Sequence, residues 1–293
     1  MMRKSLSQRP VLALAIAVLI TACTHPAGEH YHPTFTNAAG NKRVFIFGAP
    51  SLAYFETTNL VIKYLNAHLD SVQVRTVACT SLEDYEDKLR RRYFDFTVIN
   101  GPQLLTATQH GYTIVGRIAD EYRAVIFSNR DSGIQTLADC RDRTIALTAN
   151  RVLAGSVMPL MWLYEKGVDV GGLKKLYSPS YESVLLDVCL GKCAMGAVWT
   201  TSYENFRRKR PDLASRLEEK WTTPSMASSA ILFKNGANQQ VAGRIAALLF
   251  QLKSDEAGRQ ALERVGIGDF IAADSTAYAP LKRFLRKYDS LIH

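Results

Sequence analysis

Cys23 is the residue best placed for covalent chemistry in this chain. It follows Leu19-Ile20-Thr21-Ala22, and a small-residue pair directly before a cysteine is the arrangement of a bacterial lipobox, where cleavage leaves the thiol to carry diacylglycerol. Arg3, Lys4 and Arg9 precede an apolar run at 11–20. That run is too short to cross a bilayer core, which needs roughly 20 helical residues. Residues 1–22 are therefore expected to be a lipoprotein signal peptide. Residues 23–41, which include Pro26, Gly28, Pro33 and Gly40, are expected to be a tether anchored through lipid on Cys23. Thr24 rather than aspartate follows the cysteine, which leaves the outer and the inner membrane both open as destinations.

Four further cysteines, Cys79, Cys140, Cys189 and Cys193, would meet an oxidising compartment after export. Cys189 and Cys193 are the closest pair, and a helix ending at Gly191 would let their sulfurs approach, so they form the candidate disulfide. No second Cys or His pair has zinc-ligand spacing, and His25, His30 and His32 lie in the tether, so no metal site is assigned. The local signatures of catalysis (P-loop, GxSxG, HExxH, GxGxxG) are absent. The expectation is a protein with no catalytic residues and no cofactor.

What must these residues be mounted on? The chain has 293 residues and a formal charge of +9; without residues 1–22, which carry three basic and no acidic side chains, the charge is +6. Arg90-Arg91-Arg92 and Arg207-Arg208-Lys209-Arg210 each close a helical pattern, where cations favour the carbonyl-rich end, so no nucleic acid is expected as a partner. From Arg43 onward, short β-branched and aromatic runs alternate with longer helical patterns, which predicts βαβ units and largely parallel sheets. Strands are expected at 43–47, 72–77, 94–99, 113–118 and 122–128, with helices at 57–69, 82–92 and 102–110. A second set follows: strands at 144–147, 173–177, 195–199 and 230–233, and helices at 155–165, 181–190, 239–252, 255–265 and 278–291.

Several phrases resemble the phosphonate- and phosphite-type (PhnD-like) ABC transporter solute-binding proteins of type 2 periplasmic-binding architecture. They are FDFTVINGP at 94–102, YRAVIFSNRDSG at 122–133, the stretch 134–147 with Leu137-Ala-Asp139 and Thr144-Ile-Ala146, and the segments 191–199 and 258–270. The resemblance runs from 43 to 288. It implies an α/β protein of two lobes, each a mainly parallel sheet flanked by helices, with a ligand cleft between them. One lobe would comprise 42–122 plus 227–293, and the other 123–226. It implies a periplasmic monomer that hands a small molecule to membrane transporter subunits.

In that family, serine and threonine at a helix N-terminus grip the phosphonate oxygens. Here the matching stretch, Thr148-Ala-Asn-Arg-Val-Leu-Ala-Gly-Ser156, has Val152, Leu153 and Ala154 in place of the hydroxyls. An anion there lacks side-chain donors, so the ligand is expected not to be a simple phosphonate. Three readings stay open: an uptake receptor for an anion or other polar solute, a carrier of an apolar ligand such as a lipid or sterol for envelope transport, and an extracytoplasmic sensor of an oxyanion or metalloid, with Cys79 as its thiol. The residues expected at the cleft are Tyr54, Asn100, Gln103, Tyr122, Arg123, Asn150, Arg151, Leu153, Trp199 and Tyr203. Aromatic rings there would enclose the ligand and amides would orient it.

Overall fold

The computed structural model describes residues 42–292. The expected signal peptide, tether and Cys23 lie outside the described residues.

Strand β1 (Arg43–Ala49) turns Phe45, Phe47 and Ala49 inward, and Ser51 then caps α1 (Leu52–Ala67), its hydroxyl accepting from Tyr54 N at 3.2 Å. This cap, of a type worth about 1 kcal/mol, starts the helix five residues before the expected Thr57. β2 (Val72–Ala78) runs parallel to β1, Ser81 caps α2 (Leu82–Arg90), and β3 (Phe96–Ile99) is buried along its length. Pro102 sits in the first turn of α3 (Gly101–Gln109), and β4 (Tyr112–Ile118) follows. The expected strand at 122–128 is two strands, β5 (Glu121–Tyr122) and β6 (Ala124–Asn129), divided at Arg123 and belonging to different sheets.

After β7 (Thr144–Leu147) the expected helix opens with a π-helical turn, Leu153–Val157, which feeds α4 (Met158–Glu165). Next come β8 (Lys174–Tyr177), α5 (Tyr181–Cys189) capped by Ser180, β9 (Met195–Trp199), α6 (Thr200–Lys209), α7 (Pro211–Ala214) and β10 (Leu217–Thr222). The chain then returns through β11 (Met226–Ala227) and β12 (Ala230–Lys234) to α8 (Gln239–Phe250), α9 (Glu256–Val265), β13 (Phe270–Ala272) and α10 (Ala279–Ile292).

The strands form a six-stranded sheet, β13-β4-β12-β3-β1-β2, and a five-stranded sheet, β10-β6-β9-β7-β8. In the first, β1 to β4 point the same way, because β12 lies antiparallel to both β3 and β4; β13 is an antiparallel edge. In the second, only β6 opposes the others. The sheets are thus mainly parallel in direction, and the strand by which the chain enters each sheet from the other, β6 in the second and β12 in the first, runs against the parallel set. Each sheet with its helices makes one lobe. Between the lobes, β5 and β11 pair antiparallel, Tyr122 opposite Met226 and Glu121 opposite Ala227, so the two crossings form one short ribbon.

Candidate functional site

The ribbon and the strand ends beside it carry the aromatic residues of the site. Tyr122 from β5 stacks on Trp199 at the end of β9, with ring centroids 5.0 Å apart and planes 16° from parallel. Tyr181, at the start of α5, and Asn100, before α3, lie near enough to the Tyr122 hydroxyl to offset part of the rise that burial gives it, and the Asn100 amide donates to Ser229 Oγ at 3.2 Å. Tyr54 donates its hydroxyl to the Val98 carbonyl at 2.9 Å. Burial holds the Tyr54, Tyr122 and Tyr181 hydroxyls above the ordinary phenol value, so all three are neutral hydrogen-bonding groups at physiological pH.

Tyr54, Tyr122, Tyr181 and Trp199, all half-buried, line the ribbon end, or mouth, of a cavity of about 410 Å³. Its wall includes Phe47, Phe96, Ile62, Leu65, Leu249 and Phe270 from the first lobe's core, with Ser51, Thr58, Ser202, Ser228 and Ser229 among its polar members. Among the described residues, no charged side chain lines it. Were such an apolar space a sealed void, about 24 cal/mol per Å³ would put its cost on the order of 10 kcal/mol, comparable with the whole stability of a typical domain.

A second polar cluster bridges the lobes without lining the cavity. Glu86 on α2, whose side chain is 8% exposed, accepts from Gln103 Nε2 at 2.9 Å and pairs with Arg151 Nε at 3.1 Å and Arg90 Nη2 at 3.1 Å. Arg151, expected at the cleft, is therefore occupied by the protein's own carboxylate. Beside it Leu153 is 1% exposed and packs against Gly101, whose absent Cβ would stand 3.3 Å from Leu153 Cβ in a backbone with φ of +63°. Leu153 is thus an apolar packing contact between the segment before α4 and the start of α3.

Of the residues expected at the cleft, Tyr54, Tyr122 and Trp199 line the cavity, and Asn100 hydrogen-bonds to Ser229, which does. Gln103, Arg151 and Leu153 belong to the interlobe contact. Three others lie elsewhere. Arg123 is exposed and 4.0 Å from Glu121, and its carbonyl accepts from Thr200. Asn150 is exposed, with its carbonyl accepting from the Tyr288 hydroxyl at 3.4 Å. Tyr203 is buried against Phe127 inside the second lobe, ring centroids 5.3 Å apart, because it falls on the inner face of α6. The sequence reading missed Glu86, Tyr181 and the serines; the Ser228-Ser229 pair just before β12 was the available signal.

Cys189 and Cys193, the candidate disulfide, are separate buried free thiols, as are Cys79 and Cys140. Gly191, at φ +73°, turns the chain between the pair, and Cys189 Sγ faces the Leu213 carbonyl at 3.5 Å. Burial pushes the Cys79 thiol up to about 12, so it carries almost no thiolate at neutral pH.

Residues 50–278 match the model of a family described as "ABC transporter, phosphonate, periplasmic substrate-binding protein". The chain belongs to this family. The phosphonate-type chain is 24% identical over 254 residues to a probable ABC transporter phosphite binding protein, PhnD1, of Prochlorococcus marinus (strain MIT 9301), which covers 80% of this chain and 84% of the relative. The structure of PhnD1 from that organism in complex with methylphosphonate superposes with a TM-score of 0.76 at 19% identity, over 84% of this chain and 98% of the other. A Xanthomonas citri protein bound to ATP gives a TM-score of 0.73 at 18% identity, over 85% and 98% of the two chains. A binding protein component of an ABC phosphonate transporter from Pseudomonas aeruginosa gives 0.73 at 16% identity, over 85% and 88%. The phosphonate-type fold is thus the two-lobed periplasmic-binding architecture, and its family is one of transport binding proteins that deliver a ligand to an ABC transporter. None of these relatives is described as a lipid carrier or a sensor.

Proposed function

We propose that this phosphonate-family protein captures one small molecule between its lobes, at the mouth formed by Tyr54, Tyr122, Tyr181 and Trp199, and that the molecule is not a simple phosphonate. The observation carrying this reading is the absence of charge: no cation among the described residues lines the cavity, and Arg151 is neutralised by Glu86. A desolvated dianion at this mouth would meet hydroxyls but no countercharge, which is costly. Residues 42–122 with 227–293 form one moving body in this reading and 123–226 the other, hinged at the β5 and β11 ribbon. Lipid on Cys23 holds the monomer to a membrane near its transporter.

The test is a thermal-shift and calorimetric panel of methylphosphonate, phosphite, phosphate and neutral organic solutes. The expected result is stabilisation by a neutral solute and none by the three oxyanions. Saturable one-to-one binding of methylphosphonate, unchanged in Val152→Ser, would overturn the ligand assignment and leave the receptor role intact.

A further inference from the structure

We propose that the cavity is the seat of an elongated neutral molecule, whose apolar body lies along α1 inside the first lobe while a hydroxyl or carbonyl group faces the mouth. This rests on the interlobe-receptor reading and names the class of ligand it takes.

The residues that α1 and its cap present to the cavity are Ser51, Tyr54, Thr58, Val61, Ile62 and Leu65. Their spacing places them on one helix face, and their chemistry changes along it. The first three bear hydroxyls, the last three none. At 1.5 Å per residue this face is roughly 21 Å long, so the cavity has a polar end beside the ribbon and an apolar end deep in the lobe.

The opposite wall follows the same gradient. Ser228 and Ser229 precede β12 close to the mouth, and Tyr122, Tyr181 and Ser202 approach it from the ribbon and the second lobe. Leu249 from α8, Val265 from α9 and Phe270 from β13 close the other end. Native cores interdigitate at crystal-like density; here rings and branched side chains from seven elements of the first lobe leave a space within the roughly 300–1,000 Å³ range of ligand sites. A ligand charged at either end would lose hydration without gaining a countercharge. An apolar body with one uncharged polar end satisfies both ends of the cavity.

The experiment uses the purified protein and the neutral fluorophore N-phenyl-1-naphthylamine, displaced by 1-dodecanol or by dodecyl phosphate. One saturable site is expected, with dodecanol displacing the dye and dodecyl phosphate weaker by roughly tenfold or more. Val61→Phe, which grows into the cavity, should weaken the dye by a similar factor. Thr58→Phe, at a half-buried position on the same face, provides the test if Val61→Phe fails to fold. Leu52→Glu, on exposed surface outside the cavity, should leave binding unchanged. Absence of dye binding, loss of it in Leu52→Glu, or retention of it in Thr58→Phe overturns the proposal. If the dye survives Thr58→Phe yet is lost in Trp199→Ala, the mouth is the binding site and the receptor reading stands without the deep seat.

Discussion

Arg151 Nε lies 3.1 Å from Glu86 Oε1, joining the turn before α4 in one lobe to α2 in the other. A carboxylate supplied by the first lobe occupies the guanidinium supplied by the second. The side chain of Glu86 is almost fully buried and that of Arg151 is 35% exposed, so the pair is intermediate between a surface and an interior ion pair.

Glu86→Gln should cost about 2–3 kcal/mol of stability, less than the 3–5 typical of a fully buried pair, because it leaves Arg90 and Arg151 without their shared partner. Urea unfolding of the ligand-free protein checks this. Arg151→Met should cost less, since Glu86 keeps Arg90 and Gln103.

Leu153→Ala should cost about 2–4 kcal/mol, the range for a buried leucine whose cavity collapses only partly. The same variant should not create affinity for methylphosphonate by calorimetry, because the neighbouring cation stays paired.

Gly155 sits where an added Cβ would fall 1.9 Å from Thr148 Oγ1, and that hydroxyl is buried without a hydrogen-bond partner. Gly155→Ala should therefore destabilise by about 1–3 kcal/mol through overpacking. Thr148→Ala alone should be nearly neutral, since no hydrogen bond is lost, and should recover part of the Gly155→Ala penalty in the double variant. Four chemical-denaturation curves, wild type included, measure the coupling.

Asp255 is held below the ordinary carboxylate range by the Tyr64 hydroxyl at 2.5 Å and by the Gly258 N–H at 2.7 Å. A depressed folded pKa means that its contribution is complete above the unfolded value of about 3.9 and is lost as pH falls through the lower folded value. Wild-type Tm should therefore drop more steeply below about pH 4 than that of Asp255→Asn, which retains the cap of α9 without the charge. A Tm series across pH 2.5 to 6 separates the two, at roughly those bounds.

Trp199 is the one tryptophan at the mouth, whereas Trp162 and Trp221 pack on each other 5.9 Å apart. Ligand binding should change the intrinsic tryptophan emission, and Trp199→Phe should remove most of that change while the other two still report folding. A titration followed by fluorescence decides it.

The order of elements could be read from the sequence because β1, β2, β7 and β9 carry uninterrupted apolar or alternating runs between helical patterns. β10 could not, since its Leu217–Thr222 sequence is mostly charged or polar and is held by pairing with β6 rather than by its own pattern. Arg123 read as the start of one continuous strand; only tertiary structure shows that the chain changes sheets there. At the site, Tyr54, Tyr122 and Trp199 were accessible to sequence reasoning because each ends or begins an element. Glu86 was hidden because its spacing on α2, four residues before Arg90, is that of an ordinary surface pair, and nothing local marks it as the partner of a residue 65 positions away. The cavity was invisible for a related reason: Ile62, Leu65 and Leu249 read as core, and a pattern of apolar residues does not reveal whether their tips meet.

Tyr122 is at once a rung of the two-stranded ribbon and a panel of the mouth. On the proposed reading a guest rests against the axle of the clamshell, so a displacement of that ring acts on the paired connections between the halves.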